Sequence, residues 1–404
     1  MDVTFRSISA EELPAFVRAS SIGFGENSEW FEREKEFHSM ALDRTVVGFE
    51  GDVIVATSRN FPFDITLPGG AALHAAGVSA VTVLPTHRRR GLLREMMTRL
   101  FDDATMHDEP LAMLTASEAT IYGRFGFGVS HRSLGIRIDK REMVFARPRP
   151  AGRIRLIDEA EAGKVVPEVF ERVRVSYPGA VSRPPEWWCH YYDPSYGTRF
   201  DAVFEAPSGS IDGYVTYSIK DTWGANGAEH VLTVRELVGC THEAIHALWR
   251  YISEVDLIRT ITARGIEADT PLPWLLTSMR AMRTEGVYDS LWTRLLDVPA
   301  TLGARTYAAS GRLVLGIDDP TRRGGAADGT FALDGGPDGA AVAPVDAPPD
   351  LSCGIDALST AWMGGVRWSD LGAAGWVEEH TPGALATADA MFASTPLPSA
   401  FTWF

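Results

Sequence analysis

The most constraining stretch of the chain is Val81-Thr82-Val83-Leu84-Pro85-Thr86-His87-Arg88-Arg89-Arg90-Gly91-Leu92-Leu93. Val78–Val83 is a short β-rich run, and Pro85 ends it. Leu92, Leu93, Met96, Met97, Leu100, Phe101 and Ala104 then recur with helical spacing, which predicts a helix with one apolar face. A strand therefore enters a helix through a turn rich in arginine and holding one glycine. A helix start offers unpaired N–H groups and the positive end of a dipole, which together suit an anion such as a pyrophosphate. Gly91 lets the backbone approach a ligand closely. Arginines at that end oppose the dipole, and a bound anion would account for them. A solvated basic first turn is the other reading of the same residues, and both stay open at this point.

The rest of the chain narrows the function classes. Its 404 residues suggest two to three domains. A hydrophobic content of 45% excludes wholesale disorder. Lys plus Arg is 38 against 53 for Asp plus Glu, a net charge of −15. Nucleic-acid binders show the opposite excess, so none is expected as a partner. Cys189, Cys240 and Cys353 lie far apart with no C-x-x-C, which excludes a disulfide scaffold and a cysteine zinc cluster and fits a reducing compartment. The first residues lack an apolar signal region, and no apolar run is long enough to span a bilayer. A cytoplasmic protein without a membrane partner is expected.

The pattern divides into three stretches. In the first, Thr45–Glu50 and Asp52–Ser58 read as a hairpin, Leu111–Thr115 as a strand and Glu118–Phe125 as a short helix. The Pro/Arg-rich link Phe145–Arg153 closes it. In the second, Tyr214–Ile219 and Val231–Val238 read as strands. Thr241 then caps a helix that buries Ile245, Leu248, Trp249 and Ile252. This strand–turn–helix echoes Val78–Leu100 without its arginines and suggests an internal duplication. The third stretch is rich in Gly, Ala, Pro and Asp. Leu313–Ile317, Thr330–Leu333 and Ala340–Ala343 are short β-compatible runs separated by turn residues, and Ile355–Met363 reads as a helix. The expected fold is α/β with mixed sheets, in domains 1–150, 151–296 and 297–404. The chain closes on Ala400-Phe401-Thr402-Trp403-Phe404. Termini are normally polar and frayed, and burying this one would place the terminal carboxylate inside the protein.

His242-Glu243-Ala244-Ile245-His246 matches H-E-x-x-H, the helix signature of zinc proteases. No G-x-x-H follows, and Glu254 or Glu267 could be a third ligand only in principle. The segment also opens the duplicated helix, where exposed polar residues belong. No metal is expected.

A second motif, Ser117-Glu118-Ala119-Thr120-Ile121-Tyr122-Gly123-Arg124-Phe125-Gly126-Phe127, completes the picture. Arg88-x-x-Gly91 after a strand, followed by Tyr122-x-x-x-Gly126-Phe127, resembles the GNAT superfamily of acetyl-CoA-dependent N-acetyltransferases. The fuller strings VTVLPTHRRRGLL and SEATIYGRFGFG, with the chain length and the terminal Phe404, resemble the Eis (enhanced intracellular survival) acetyltransferases. Leu93 stands where the superfamily pattern has Gly or Ala, but it agrees with the RRRGLL form of the Eis group. The resemblance implies tandem GNAT-like domains, the second without a cofactor motif, and a sterol carrier protein-like domain at the end. It implies acetyl-CoA as co-substrate. Backbone groups of Val81, Thr82 and Val83 would pair with the pantetheine arm. The N–H groups of Arg89, Arg90, Gly91, Leu92, Leu93 and Arg94 would hold the pyrophosphate, and Ser117 and Glu118 would line the thiol end. Tyr122 would be the general acid and the Phe404 carboxylate the general base.

The chemistry supports those roles independently. Acetyl transfer to an amine requires a proton taken from the amine, a polarised carbonyl and a proton for the departing thiolate. Tyrosine, with a reference pKa near 10, can protonate a thiolate of reference pKa near 8.5 and stay neutral itself. A terminal carboxylate ionises near pH 3.5, low for a base, and burial beside aromatics would raise it. The resemblance further implies multi-site acetylation of aminoglycosides or other cationic amines. Phe24, Glu26, Trp30 and Phe37 fall in the region that walls the acceptor pocket in such enzymes; ordinary helix surface and core is the competing reading. The resemblance also implies a homohexamer. Two alternatives remain at this level: a lipid-binding or scaffolding protein with an inert GNAT module, and an acetyltransferase for protein lysines.

Overall fold

The computed structural model describes residues 3–26, 40–188, 198–225 and 227–404. They form two compact units. The first comprises Met1–His131, Tyr177–Tyr191 and Asp289–Phe404, and the second Arg132–Ser176 and Tyr192–Tyr288.

In the first unit, β1 (Thr4–Arg6), β2 (Val47–Glu50), β3 (Val53–Thr66), β4 (Ala72–Val83) and β5 (Leu111–Leu114) lie side by side in that order. The strand Arg283–Leu295 follows, its Trp292–Leu295 antiparallel to β5. Helix α1 is Leu13–Phe24 and packs on β3 and β4. Helix α2, Leu92–Met106, is the crossover that makes β4 and β5 parallel, and it buries Leu92, Met96, Met97, Leu100, Phe101 and Ala104. The second strand of the expected hairpin runs past Ser58 to Thr66. Phe61, Phe63 and Ile65 alternate inward while Pro62 faces out, so the period of 2 carries the strand through the proline.

The Gly/Ala/Pro-rich stretch is ordered. Gly339–Pro344, Gly329–Gly336, Gly311–Asp318, Leu351–Gly354 and Val377–Glu379 pair in that order as a second sheet of this unit. Ile355–Ala361, Trp368–Ala373 and Ala384–Phe392 are its helices. Leu313, Leu315, Trp362, Trp368 and Phe392 join Phe61, Phe63, Leu111 and Met113 in a single apolar cluster. This shared core joins β3 and β5 to the C-terminal sheet and its helices within the unit.

The strands of the second unit lie in the order Gly128–Asp139 (paired through Ser133–Asp139), Ile258–Glu267, His230–Gly239, Ile211–Lys220, Arg199–Glu205 and Arg153–Ile157. Helix His242–Glu254 joins the two parallel strands His230–Gly239 and Ile258–Glu267, as α2 joins β4 and β5. His242 is exposed, whereas His246 is buried and stacks on Phe145 at 5.4 Å. Among the described residues no group of three His, Cys, Asp or Glu side chains could hold a metal ion. Nor is any helix among them long and apolar enough to cross a membrane.

Candidate active site

The site starts at an irregularity in β4. Thr57 of β3 faces Thr82, and Arg59 faces Ser79, so Ala80 and Val81 share one partner position. This is a β-bulge, and Ala80 takes a left-handed φ of 52° to make it. The Thr57 hydroxyl braces it, bonding to the Ala80 carbonyl at 2.8 Å and lying 2.7 Å from the Thr82 hydroxyl. On its other side β4 pairs with β5 only over Ala75–Gly77 against Leu111–Met113. From Val78 to Val83 it has no register partner in β5 among the described residues. The two strands splay, and the free edge of β4 faces the opening.

The basic turn closes one end of that opening. Arg89 and Gly91 are both left-handed, with φ of 63° and 82°, and they flank Arg90. Alternating hands of this kind turn successive N–H groups toward one concave side. Gly91 is the N-cap of α2, and no side chain caps that helix. The corresponding helix of the second unit is self-contained: the Thr241 hydroxyl accepts the Ala244 N–H at 3.1 Å. An uncapped helix start beside Arg88, Arg89 and Arg94 fits a phosphate-bearing ligand; a capped one does not. Arg90 turns away to Glu50 at 3.2 Å, and His87 lies 3.3 Å from the same carboxylate. These two, His87 first, hold Glu50 below the usual carboxylate range.

A cavity of about 850 Å³ follows the splay. Val81, Thr82, Val83, Arg89, Gly91, Leu92, Leu93, Arg94, Ser117 and Glu118 line it, together with Tyr122 and Phe24. Arg90, Glu26 and Phe404 are not among its lining residues. Gly23 of α1 lies so close to Thr82 that a Cβ there would clash with it. The end of α1 therefore closes on the bulge and leaves Phe24 half exposed at the cavity. Glu26 is exposed just beyond α1; Trp30 and Phe37 lie outside the described residues.

Glu118 precedes a single-turn helix, α3 (Ala119–Tyr122). Tyr122 is buried, with its ring edge-on to Phe127 at 5.9 Å. Among the described residues its hydroxyl has no hydrogen-bond partner, and the residue lines the cavity. Burial, and then the nearby Glu118, push its pKa up to about 12. The turn behind it rests on a buried charge. Gly126 is left-handed at φ 85°, and a Cβ there would stand 2.5 Å from Arg294 Nε. That nitrogen donates to the Phe125 carbonyl at 2.9 Å, and the guanidinium is paired with Asp319, both fully buried. Gly126→Ala therefore combines backbone strain with overpacking. A loss of roughly 2–5 kcal/mol is expected, read by denaturant unfolding. An unchanged midpoint would show that Arg294 gives way freely.

The chain end docks in the same unit. Thr115 Oγ1 donates to a Phe404 carboxylate oxygen at 2.8 Å. The Phe404 ring is buried 5.1 Å from that of Phe63. Gly77 makes room for both rings, since a Cβ there would stand 2.5 Å from Phe63 and 3.2 Å from Phe404. Gly77 is also the last β4 residue paired to β5, so the terminus sits where the splay begins. Thr115, Arg294 and Asp319 escaped the sequence reading. A lone arginine in the apolar run Leu291–Leu296 was the one available signal. Nothing local marks Thr115.

The comparisons with known proteins agree with this geometry. Descriptions of an acetyltransferase (GNAT) domain match residues 4–130 and again residues 179–296, and a sterol carrier protein domain matches residues 298–399. An uncharacterized N-acetyltransferase of Streptomyces avermitilis is 37% identical over 98% of this chain and 97% of its own. The N-acetyltransferase Eis of Mycobacterium tuberculosis is 34% identical over 87% of this chain and 86% of its own. The crystal structure of Eis1 from Mycobacterium abscessus superposes with a TM-score of 0.88 at 32% identity, covering both chains completely. A splayed strand pair, an uncapped basic helix start and whole-length similarity of this degree lead to one conclusion: the chain belongs to the Eis family of GNAT N-acetyltransferases.

Proposed function

We propose that this acetyltransferase modifies amines of aminoglycosides or similar cationic acceptors, with Tyr122 as general acid and the Phe404 carboxylate as general base. Two observations carry the reading: a buried phenol without a hydrogen-bond partner among the described residues lines the cavity, and a buried chain end is hydrogen-bonded by Thr115 beside Gly77, where β4 parts from β5.

Acetyl-CoA, when bound, supplies the activated acyl group. The N–H groups of Arg89 through Arg94 and the side chains of Arg88, Arg89 and Arg94 would hold its pyrophosphate, and the free edge of β4 at Val81–Val83 its pantetheine arm. Ser117 and Glu118 would flank the reacting end. The Phe404 carboxylate takes a proton from the attacking amine, directly or through one water. Tyr122 Oη gives a proton to the departing sulfur, and burial keeps that proton on the phenol until then. The Phe404 proton returns to solvent, and solvent reprotonates Tyr122.

For the acceptor, Phe24 at the cavity and the acidic balance of −15 support a cationic amine. The lipid-carrier alternative draws little from the C-terminal sheet. Its cleft is open, and Asp318, Arg323, Asp328 and Glu378 line it alongside Ile317, Trp376 and Val377, a mixed lining that does not single out an acyl chain. A homohexamer rests on the family resemblance and is tested by sedimentation. The deciding assay is thiol release from acetyl-CoA with an aminoglycoside, against a lysine peptide and no acceptor. Release above background with the aminoglycoside, and multiply acetylated product by mass, is expected. Release with the peptide alone would replace the acceptor class.

A further inference from the structure

Residues 398–404 belong to no helix or strand, yet the last of them carries the group assigned as the base. Chain ends fray unless tied down. The tie comes from the middle of the sequence. Residues 177–188 are part of the first unit and run along β3. Thr66 N–H donates to the Ala180 carbonyl at 2.9 Å, and Ser182 N–H to the Asp64 carbonyl at 2.8 Å. The Ser182 hydroxyl accepts the Asp64 N–H at 2.9 Å.

This strap then grips the tail. Ser399 N–H donates to the Pro178 carbonyl at 2.8 Å. At Phe401 the chain reverses with a left-handed φ of 48°, which a bulky residue adopts only when its surroundings enforce it. Tyr177 meets the Phe401 ring edge-on at 5.2 Å. Arg183 Nη2 donates to the Phe401 carbonyl at 2.8 Å, and Arg183 Nε to the Thr402 hydroxyl at 3.1 Å. The Thr402 hydroxyl donates in turn to the Val181 carbonyl at 3.1 Å. The guanidinium itself lies over the Trp188 ring at 5.0 Å. Two residues further on is the carboxylate bound by Thr115.

We infer that Arg183 is a positioning residue for acetyl transfer: its two-pronged hold on Phe401 and Thr402 sets the chain reversal that delivers the Phe404 carboxylate to its place. The inference rests on the reading of Phe404 as the base. A planar fork with fixed donors suits this task, and a lysine could reach only one of the two acceptors. Arg183 is not a lining residue of the acetyl-CoA cavity, so its loss should leave cofactor affinity alone.

The test uses the full chain, with kcat, the KM for acetyl-CoA and CoA affinity by calorimetry for Arg183→Ala, Arg183→Lys, a chain lacking Phe404, and Arg183→Ala in that shortened chain. Misplacing a reacting group by about an ångström can cost ~100-fold in rate. Arg183→Ala is therefore expected to lower kcat roughly 10- to 100-fold with KM and CoA affinity within about twofold. Arg183→Lys should recover part of the loss, and the substitution should cost nothing further once Phe404 is gone. A kcat for Arg183→Ala within twofold of the parent, while loss of Phe404 is severe, overturns the inference alone. The same fold-loss with and without Phe404 also overturns it, because Arg183 would then act by another route. Full activity without Phe404 overturns the underlying assignment of the base, and the inference with it. Should Arg183→Ala fail to fold, Thr402→Val removes one of the two prongs, together with the Thr402–Val181 bond, at nearly constant volume. A selective kcat loss there supports the inference and an unchanged kcat overturns it.

Discussion

Tyr122→Phe should lower kcat by about 10²–10⁴-fold, the range spanned by loss of a positioned proton donor. The substitution removes one oxygen and keeps the ring that packs edge-on against Phe127. The hydroxyl has no partner among the described residues, so its removal breaks no hydrogen bond there and stability should barely change. The expected signature is a collapse of kcat with the KM for acetyl-CoA nearly constant, measured by thiol release. The pH profile supplies a second check. Burial raises the phenol to about 12, so the protonated acid persists through the usual tyrosine range. An alkaline fall of rate assigned to Tyr122 should lie near pH 12 and not near 10. Retention of kcat within threefold in the phenylalanine variant would sink the acid assignment.

Removing Phe404 should be comparably severe, about 10²–10⁴-fold in kcat, because the new terminal carboxylate, on Trp403, is drawn back by one residue and the ring that seats the end is lost. The control is Phe404→Ala, which keeps the terminal carboxylate at its own position along the chain and loses only the ring. That ring packs on Phe63 and Gly77, so its truncation should loosen the end and cost up to about 3–5 kcal/mol of packing. The alanine variant should nevertheless retain more activity than the shortened chain. If the shortened chain turns over like the parent, the carboxylate is not the base. If both variants are equally inactive, the ring and not the charge is what the reaction needs.

How much of this was legible beforehand depends on how local each feature is. The strand–turn–helix around Gly91 could be read because the apolar period of α2 and the turn residues are neighbours in sequence. The helix face named from Leu92 to Ala104 is buried as its spacing requires, with Leu93 half-buried at the rim. The short β runs of the C-terminal stretch were visible for the same reason. The bulge at Ala80 was not, because an alanine in a left-handed turn carries no sequence mark and is held there by Thr57, across the sheet.

The site divides the same way. Tyr122 and Gly126 belong to one short motif, but the reason Gly126 must lack a side chain is Arg294, which arrives from a strand far along the chain. Thr115 and Phe404 are 289 residues apart, and Arg183 and Phe401 are 218 apart. No periodicity or turn chemistry links such pairs. Local residue types therefore determine the elements, the anion-facing helix start and the chemical groups on offer. Only the burial of β3 and β5 with the C-terminal sheet in one apolar core decides that Phe404 comes to rest beside Gly77, where β4 parts from β5.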